Sequence, residues 1–284
     1  MDAEQIHRAV VKHALQTGER IGDLFDKLGN AQHPRGAILS AYRTAARAIT
    51  QAGIDNPIAV DDALSTLRLA GMNTTRELLT TAADIGTEQA NRDLSLWSLP
   101  PATTSVAVDI SAALLAVGAT MDAQFTAIRA KVRLGNSEVD EIVGGLVAVP
   151  IILVASDWLA TLVNDSYVIT AEQSAARDPQ QRAWGRQAVA AIDERTTDCC
   201  LRVSGQVVPI TGLFKLTGRP RYADEMSAPP FHRKCRTTIA LVLMELANDP
   251  MTREMRAAAR DELKAREDGS RKEIHPANAL SRRG

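Results

Sequence analysis

Apolar residues recur at helical spacings through the first 177 residues, and polar breaks divide them into segments. Ile6, Val10, Ala14, Ile21 and Leu24 predict a helix over 3–28, with Gly29-Asn30 as its stop. Pro34 opens a second segment that ends at Gly53. A third runs from Ile58 to Leu69 and stops at Gly71, and Asn73-Thr74-Thr75 with Glu77 starts a fourth. After the proline-containing break LWSLPPATTS, an amphipathic pattern extends from Val106 to Leu134 and ends at Gly135. Ser137 with Asp140 forms a capping-box start for the segment holding the apolar run Ile142–Ala155. That run contains Gly144, Gly145 and Pro150 and falls short of the ~20 apolar residues a spanning helix needs. It is expected to form a buried, kinked helix or two short buried segments, without stable membrane insertion.

Past Asp178-Pro179 the period changes. Short β-branched stretches, Gly185 to Ile192, Gln206 to Ile210 and Thr237 to Leu243, alternate with turns rich in Gly, Pro and Ser and predict strands. Thr252 to Glu267 reads as a charged, alanine-rich solvated helix, and the closing SRKEIHPANALSRRG as a disordered tail. The expected fold is α+β: a predominantly helical partner-binding region over 1–177, a small α+β module with short strands over 178–248, and a charged helix with a flexible tail over 249–284.

Composition narrows the function classes. The 33 Lys and Arg against 34 Asp and Glu disfavour a wholly basic nucleic-acid coat, and an aromatic content of 4% disfavours a stacked-base surface. The start MDAEQIHRAV lacks a secretory pattern, and three cysteines disfavour a disulfide framework, so folding in a cytoplasm is expected. Charge is segregated within 178–240, where ten basic residues face six acidic ones. Of these, Lys215, Arg219, Arg221, Arg233 and Lys234 are read as loop residues, either meeting phosphates without reading bases or forming a solvated surface.

The chemistry concentrates in Cys199, Cys200, His232 and Cys235. Thiolate sulfur and imidazole nitrogen suit tetrahedral zinc, and the H-x-x-C spacing lets His232 and Cys235 reach one ion. Adjacent Cys199 and Cys200 are less favourable, since neighbours on a strand point to opposite faces. Two other readings fit the same residues: thiols packed as small apolar groups beside a hydrogen-bonded histidine, and a Cys–His catalytic pair. Asp193, Arg195 and Thr196 could form a charge-assisted network with Arg236, or a solvated turn with weak ion pairs. Gly205 supplies a turn conformation, and Pro229-Pro230 stiffens the approach to His232.

These blocks resemble the carboxy-terminal module of the tailed-phage minor head protein family, also called Mu F-like or head morphogenesis proteins. That pattern has a tryptophan-containing strand, D-E-R-T-C-x-x-C, a glycine turn, and later P-P-x-H-x-x-C-R-C. Here Trp184 precedes Asp193-Glu194-Arg195-Thr196, Cys200 falls on the second cysteine, and Ser204-Gly205 on the turn. Pro229, Pro230, His232, Cys235 and Arg236 match the second block. Thr197 and Thr237 stand where the first and last cysteines are usual, departures that weaken the zinc reading unless Cys199 substitutes for the missing ligand. The resemblance covers about residues 165 to 245. It implies a non-enzymatic, low-copy virion component assembled in the host cytoplasm and located in the capsid interior near the portal. The implied partners are the portal protein, the major capsid or scaffolding protein, and DNA contacted non-specifically during packaging or ejection. The fused toxin or enzyme domains of some relatives are not expected in the roughly 40 residues after the module. The competing class is a zinc- or cysteine-dependent hydrolase, a nuclease or peptidase, using Asp193 or Glu194 as acid or base. Against it, the sequence has no phosphate-cradling glycine loop, no H-E-x-x-H and no G-x-S-x-G.

Overall fold

The computed structural model describes residues 1–29, 44, 47–48, 56–102, 109–133, 148–217 and 223–270. Its helices precede a small antiparallel sheet, an α+β arrangement. In chain order the elements are α1 (Ala3–Gly29), α2 (Pro57–Leu96), α3 (Ser111–Arg133), α4 (Ala148–Ala175), β1 (Trp184–Val189), α5 (Asp198–Val203), β2 (Val207–Pro209), β3 (Phe214–Lys215), β4 (Glu225–Met226) and β5 (Thr238–Leu243). A 3-10 turn (Met244–Asn248) and α6 (Pro250–Glu267) follow.

Several boundaries differ from the sequence reading. Residues 57–96 form one helix that passes through Gly71 and Asn73-Thr74-Thr75. A helical glycine costs only about 1 kcal/mol, which burial of Leu64, Leu67 and Leu79 along one continuous helix outweighs. Thr75 is buried inside the helix and caps nothing. The helix expected from Val106 starts at Ser111, whose N–H donates to Asp109 Oδ1 at 2.8 Å. The described part of the apolar run, 148–155, opens α4, with Pro150 in its first turn where a missing N–H breaks no ladder bond. α4 then runs through Ser156 and Asp157 to Ala175. Pro150–Ala175 and Ser111–Ala130 are therefore long and apolar enough to cross a membrane, although most of the first is buried in protein. All but residues 44, 47 and 48 of the segment expected at Pro34–Gly53, together with Ser137–Asp140, residues 142–147 of the run and the tail after Ser270, lie outside the described residues.

The chain divides into two compact units, and the division does not fall at residue 178. One unit comprises 23–81 and 109–159; the other joins 1–22 and 82–108 to 160–284. In the first, α2 meets α3 at a seam where Gly71 admits the Met121 side chain, 2.8 Å from where a Cβ would sit, and Leu64, Leu67, Val117, Phe125 and Ile128 are buried. Exposed ion pairs flank it, Arg68 to Asp122 at 2.9 Å and Arg129 to Asp61 at 2.7 Å. Each contributes ~1 kcal/mol or less.

The second unit is built on the sheet β2-β1-β5, with β1 in the middle. β1 pairs antiparallel with β5 from Trp184↔Leu243 to Val189↔Thr238, and with β2 through Gly185↔Pro209 to Gln187↔Val207. It ends at Val189, short of the expected Ile192, because the Asp193 carbonyl accepts from the Thr196 N–H in a turn that leaves Ile192 exposed. The shorter β3–β4 hairpin holds Lys215, which is thus on a strand and not in a loop.

Among the described residues no strand pairs with the outer side of β5, so alternate backbone groups would be buried without partners. Helix side chains supply them. Gln89 Nε2 donates to Ile239 O at 2.8 Å and Trp97 Nε1 to Leu241 O at 2.9 Å, while the Leu241 N–H donates to the Tyr167 hydroxyl at 2.6 Å. The Tyr167 O–H in turn donates to Asp93 Oδ2 at 2.8 Å, and His13 Nδ1 meets Asp93 Oδ1 at 2.9 Å. Burial pushes Asp93 up against the pull of His13 and Tyr167.

α6 is not a solvated helix. It buries Met255, Ala259, Leu263 and even Arg266 against the module, and its N-cap Asp249 accepts from Thr252 N at 2.7 Å and lies 2.6 Å from His7 Nδ1 of α1. Tyr167→Phe keeps the ring volume but strands the Leu241 N–H and Asp93 Oδ2. It is expected to cost about 1–3 kcal/mol in urea unfolding, and a variant as stable as the parent would show that the hydroxyl does not cap the edge.

Candidate metal-binding cluster

Two chain segments meet beside the sheet. The first leaves β1, turns at Asp193–Thr196 and enters α5; the second is the 229–236 loop leading into β5, which contains a cis Pro229–Pro230 bond. Cys199 and Cys200 are the second and third residues of α5. The strand geometry assumed from the sequence is thereby corrected: adjacent helical residues are 100° apart, so both thiols turn inward, and both are buried.

Cys200 Sγ lies 3.0 Å from His232 Nε2 and 3.7 Å from Cys235 Sγ. The ligand atoms of Cys199, Cys200 and His232 all fall within 4.8 Å of one another. A tetrahedron with Zn–S near 2.3 Å has an S···S edge of about 3.8 Å, so the Cys200–Cys235 pair is at ligand spacing. His232 Nδ1–H donates to the Arg233 carbonyl at 2.7 Å, which leaves the Nε2 lone pair facing the thiols. This is the orientation a metal-ligating histidine needs. Thr197, at the usual position of a cysteine, has its hydroxyl 3.2 Å from Cys199 Sγ. Cys199 thus lies in the cluster, and Thr237 is buried.

The thiols are electrostatically unequal. The Cys200 thiol, with His232 and Thr197, brings Cys199 down to about 7 against burial. Burial pushes Cys200 up, while Cys235 is drawn down against burial by Cys200 and His232. Two sulfurs and one imidazole nitrogen lie at mutual ligand spacing, with the Cys235 sulfur beside Cys200, and this buried donor set suits a soft or borderline divalent cation.

Around the cluster, charged groups clamp the two segments. Arg236 Nη2 donates to both carboxylate oxygens of Asp193, at 2.6 and 2.8 Å. The Arg195 N–H also donates to Asp193, at 2.9 Å, but its guanidinium is exposed and takes no part. The Thr196 hydroxyl donates to Ala191 O. Burial raises Asp193, and the Arg236 guanidinium with these donors outweighs it, holding the carboxyl below its usual range. The remaining clamp is Arg266, which the sequence reading missed. From α6 it donates to Thr196 O at 2.7 Å, Asp193 O at 3.1 Å, Asp198 Oδ1 at 2.9 Å and Glu262 Oε1 at 2.9 Å. The i,i+4 spacing of Glu262 and Arg266 was its only sequence signal.

The other motif residues have structural places. Trp184 Nε1 donates to Asp178 at 2.9 Å, its ring meets Trp97 edge-on, and Arg182 lies 4.7 Å over it. Gly205 has φ +76°, and a Cβ there would lie 2.9 Å from Arg256. Gly18 of α1 admits the Arg236 carbonyl, 2.6 Å from where a Cβ would sit. Pro229 and Pro230 are buried ahead of Phe231 and His232. Of the proposed phosphate contacts, Lys215 is exposed, Arg233 and Lys234 are half-buried, and Arg219 and Arg221 lie outside the described residues. Burial pushes the Lys234 ammonium down, which weakens it as an anion contact.

Asp193 supports a pH prediction. Its folded carboxyl titrates below its unfolded value of about 3.9, so the folded state binds fewer protons. Stability from this group is complete above the unfolded value and is lost as pH falls through it toward the folded one. Asp193→Asn should lower stability at neutral pH by about 1 kcal/mol and flatten the decline below pH ~4 in thermal melts; an unchanged acid limb would reject the clamp. Comparisons with known proteins return no matching family model, curated protein or solved structure, so the function of the cluster is inferred from its own side chains.

Proposed function

We propose that the protein is a minor head protein of a tailed phage. In this reading it is a low-copy virion component, assembled in the host cytoplasm with the portal protein and seated inside the capsid near it. The observation that carries the reading is the convergence of the two resembling blocks: Cys200 with His232 and Cys235, and Asp193 with Arg236. The residues that make the resemblance specific are the ones that pin the blocks together. The major capsid or scaffolding protein is the further partner in this proposal.

Zinc held by Cys199, Cys200, Cys235 and His232 would act as a structural staple, since all four donors come from the protein and leave no open position. A hydrolase is less well supported. Cys200 is 1% and His232 3% exposed, and the imidazole nitrogen that would serve as base already faces buried thiols. Among the described residues, that burial leaves a substrate little approach to the pair.

Two measurements test these proposals. Purified protein should carry about one zinc per chain by elemental mass spectrometry, and Cys235→Ser should lose it; metal content unaffected by that change would sink the assignment. Lysate from cells making the protein with its natural neighbours should be nuclease-treated, separated on a density gradient and quantified by mass spectrometry. Co-migration with DNA-filled particles, at far fewer copies than the shell protein, is expected. A protein that stays in the soluble fractions overturns the virion reading.

A further inference from the structure

α6 carries Arg253, Arg256, Arg260 and Lys264 at positions i, i+3, i+7 and i+11, which places all four on one helical face over ~16 Å. Beside this stripe, α5, the turn before β2, the segment after β3 and α6 line a cleft of about 400 Å³ with Arg202, Ser204, Gln206, Thr217, Arg256 and Arg260. Its apolar wall is Leu201 and Leu263, which pack with Ala259. Among the described residues, no carboxylate lines it.

The polar groups in this cleft have donor capacity left over. Arg256 is held by Gly205 O through Nε at 2.9 Å and by Asn248 Oδ1 through Nη1 at 3.0 Å, so its Nη2 is uncommitted. Arg260 has no acidic partner among the described residues, and Arg202 has only exposed Glu267 at 3.5 Å. Gln206 accepts the Lys215 N–H on Oε1 at 2.7 Å, which leaves its NH2 to donate. The Ser204 hydroxyl is buried and has no hydrogen-bond partner among the described residues. Three guanidinium groups with amide and hydroxyl donors, over an apolar wall that limits screening, match a tetrahedral oxyanion with several acceptor oxygens.

We infer that this cleft and the α6 stripe bind the phosphodiester backbone of nucleic acid without reading bases. A single phosphate fits the cleft, and the stripe continues beyond it, so a polymer with phosphates at regular intervals engages more cations than a lone anion does. One DNA strand offers a charge about every 3.4 Å of helix axis, so the stripe spans several. This surface, formed by α5 and α6, is separate from Lys215, Arg233 and Lys234, which the sequence offers as phosphate contacts. The choice of nucleic acid as the source of the phosphates rests on the proposed position beside packaged DNA; the affinity for phosphate rests on the cleft alone.

The test uses the purified full-length protein and a short fluorescent duplex, with anisotropy read between about 50 and 200 mM salt. Arg202→Gln and Arg260→Gln are combined because neither side chain holds the fold; circular dichroism and melting temperature should stay at parental values. Parental protein should bind duplexes of different sequence equally, with affinity falling steeply with salt. The double variant should bind at least about tenfold more weakly, with a log–log salt slope shallower by about two. Undiminished binding by the folded double variant overturns the site while leaving the virion reading, judged by particle co-migration, intact. Absence of binding by the parental protein also overturns it. Poly-glutamate competing as well as unlabelled duplex would assign the cleft to an acidic polypeptide and overturn the nucleic-acid inference.

Discussion

The free edge of β5 is the constraint on which the larger unit depends. A six-residue strand buried on both faces must find partners for the backbone groups pointing away from β1, because leaving one unsatisfied costs about as much as a well-made bond contributes. Covering the edge with helices, where another strand would serve in a larger sheet, requires long side chains of defined polarity at the right heights. Gln89, Trp97 and Tyr167 meet that need, and Asn164 adds a longer contact of 3.4 Å to Thr237 O. The same helices also block edge-to-edge pairing with another chain.

Asp93 extends this constraint to the start of the chain. By accepting from Tyr167 and meeting His13, it links α1, α2 and α4 to β5 through one buried carboxylate. A second link runs from His7 to Asp249 and to Gln187 of β1, at 2.6 and 2.7 Å. Together these explain why residues 1–22 and 82–108 belong with 160–284. The motif module is therefore one face of a larger core, and its two blocks are held in register by helices far away in sequence.

Within that core the cysteine–histidine cluster and the arginine clamps act on the same joint. The thiols and imidazole connect α5 to the 232–235 turn; Arg236 and Arg266 connect the Asp193 turn to β5 and α6. Burying Arg266 is unfavourable unless its donors are used, and four acceptors use them. On the outer face of α6, Arg253 and Arg256 use only part of their donors, on Asn248 and Gly205, and Arg260 has no acidic partner among the described residues. A fully used guanidinium inside and partly used ones outside divide the faces of one helix.

Local pattern reported much of this. The period of α1, the β-branched stretches at 185–192 and 237–243, and the soft-ligand set Cys199, Cys200, His232 and Cys235 are properties of short windows, and short windows carry propensity and ligand identity. The pairing of Asp193 with Arg236 was legible as charge complementarity, though not the exclusion of the Arg195 side chain. Tertiary structure alone decided the continuity of α2 through Gly71, since the cost of one glycine is settled by what the rest of the helix buries. It also decided that Cys199 and Cys200 sit in a helical turn, and that Arg266 points inward, because solvation depends on neighbours more than 60 residues away. The unit boundary belongs to the same class: residue type and spacing specify which elements form, but only packing specifies which elements share a core.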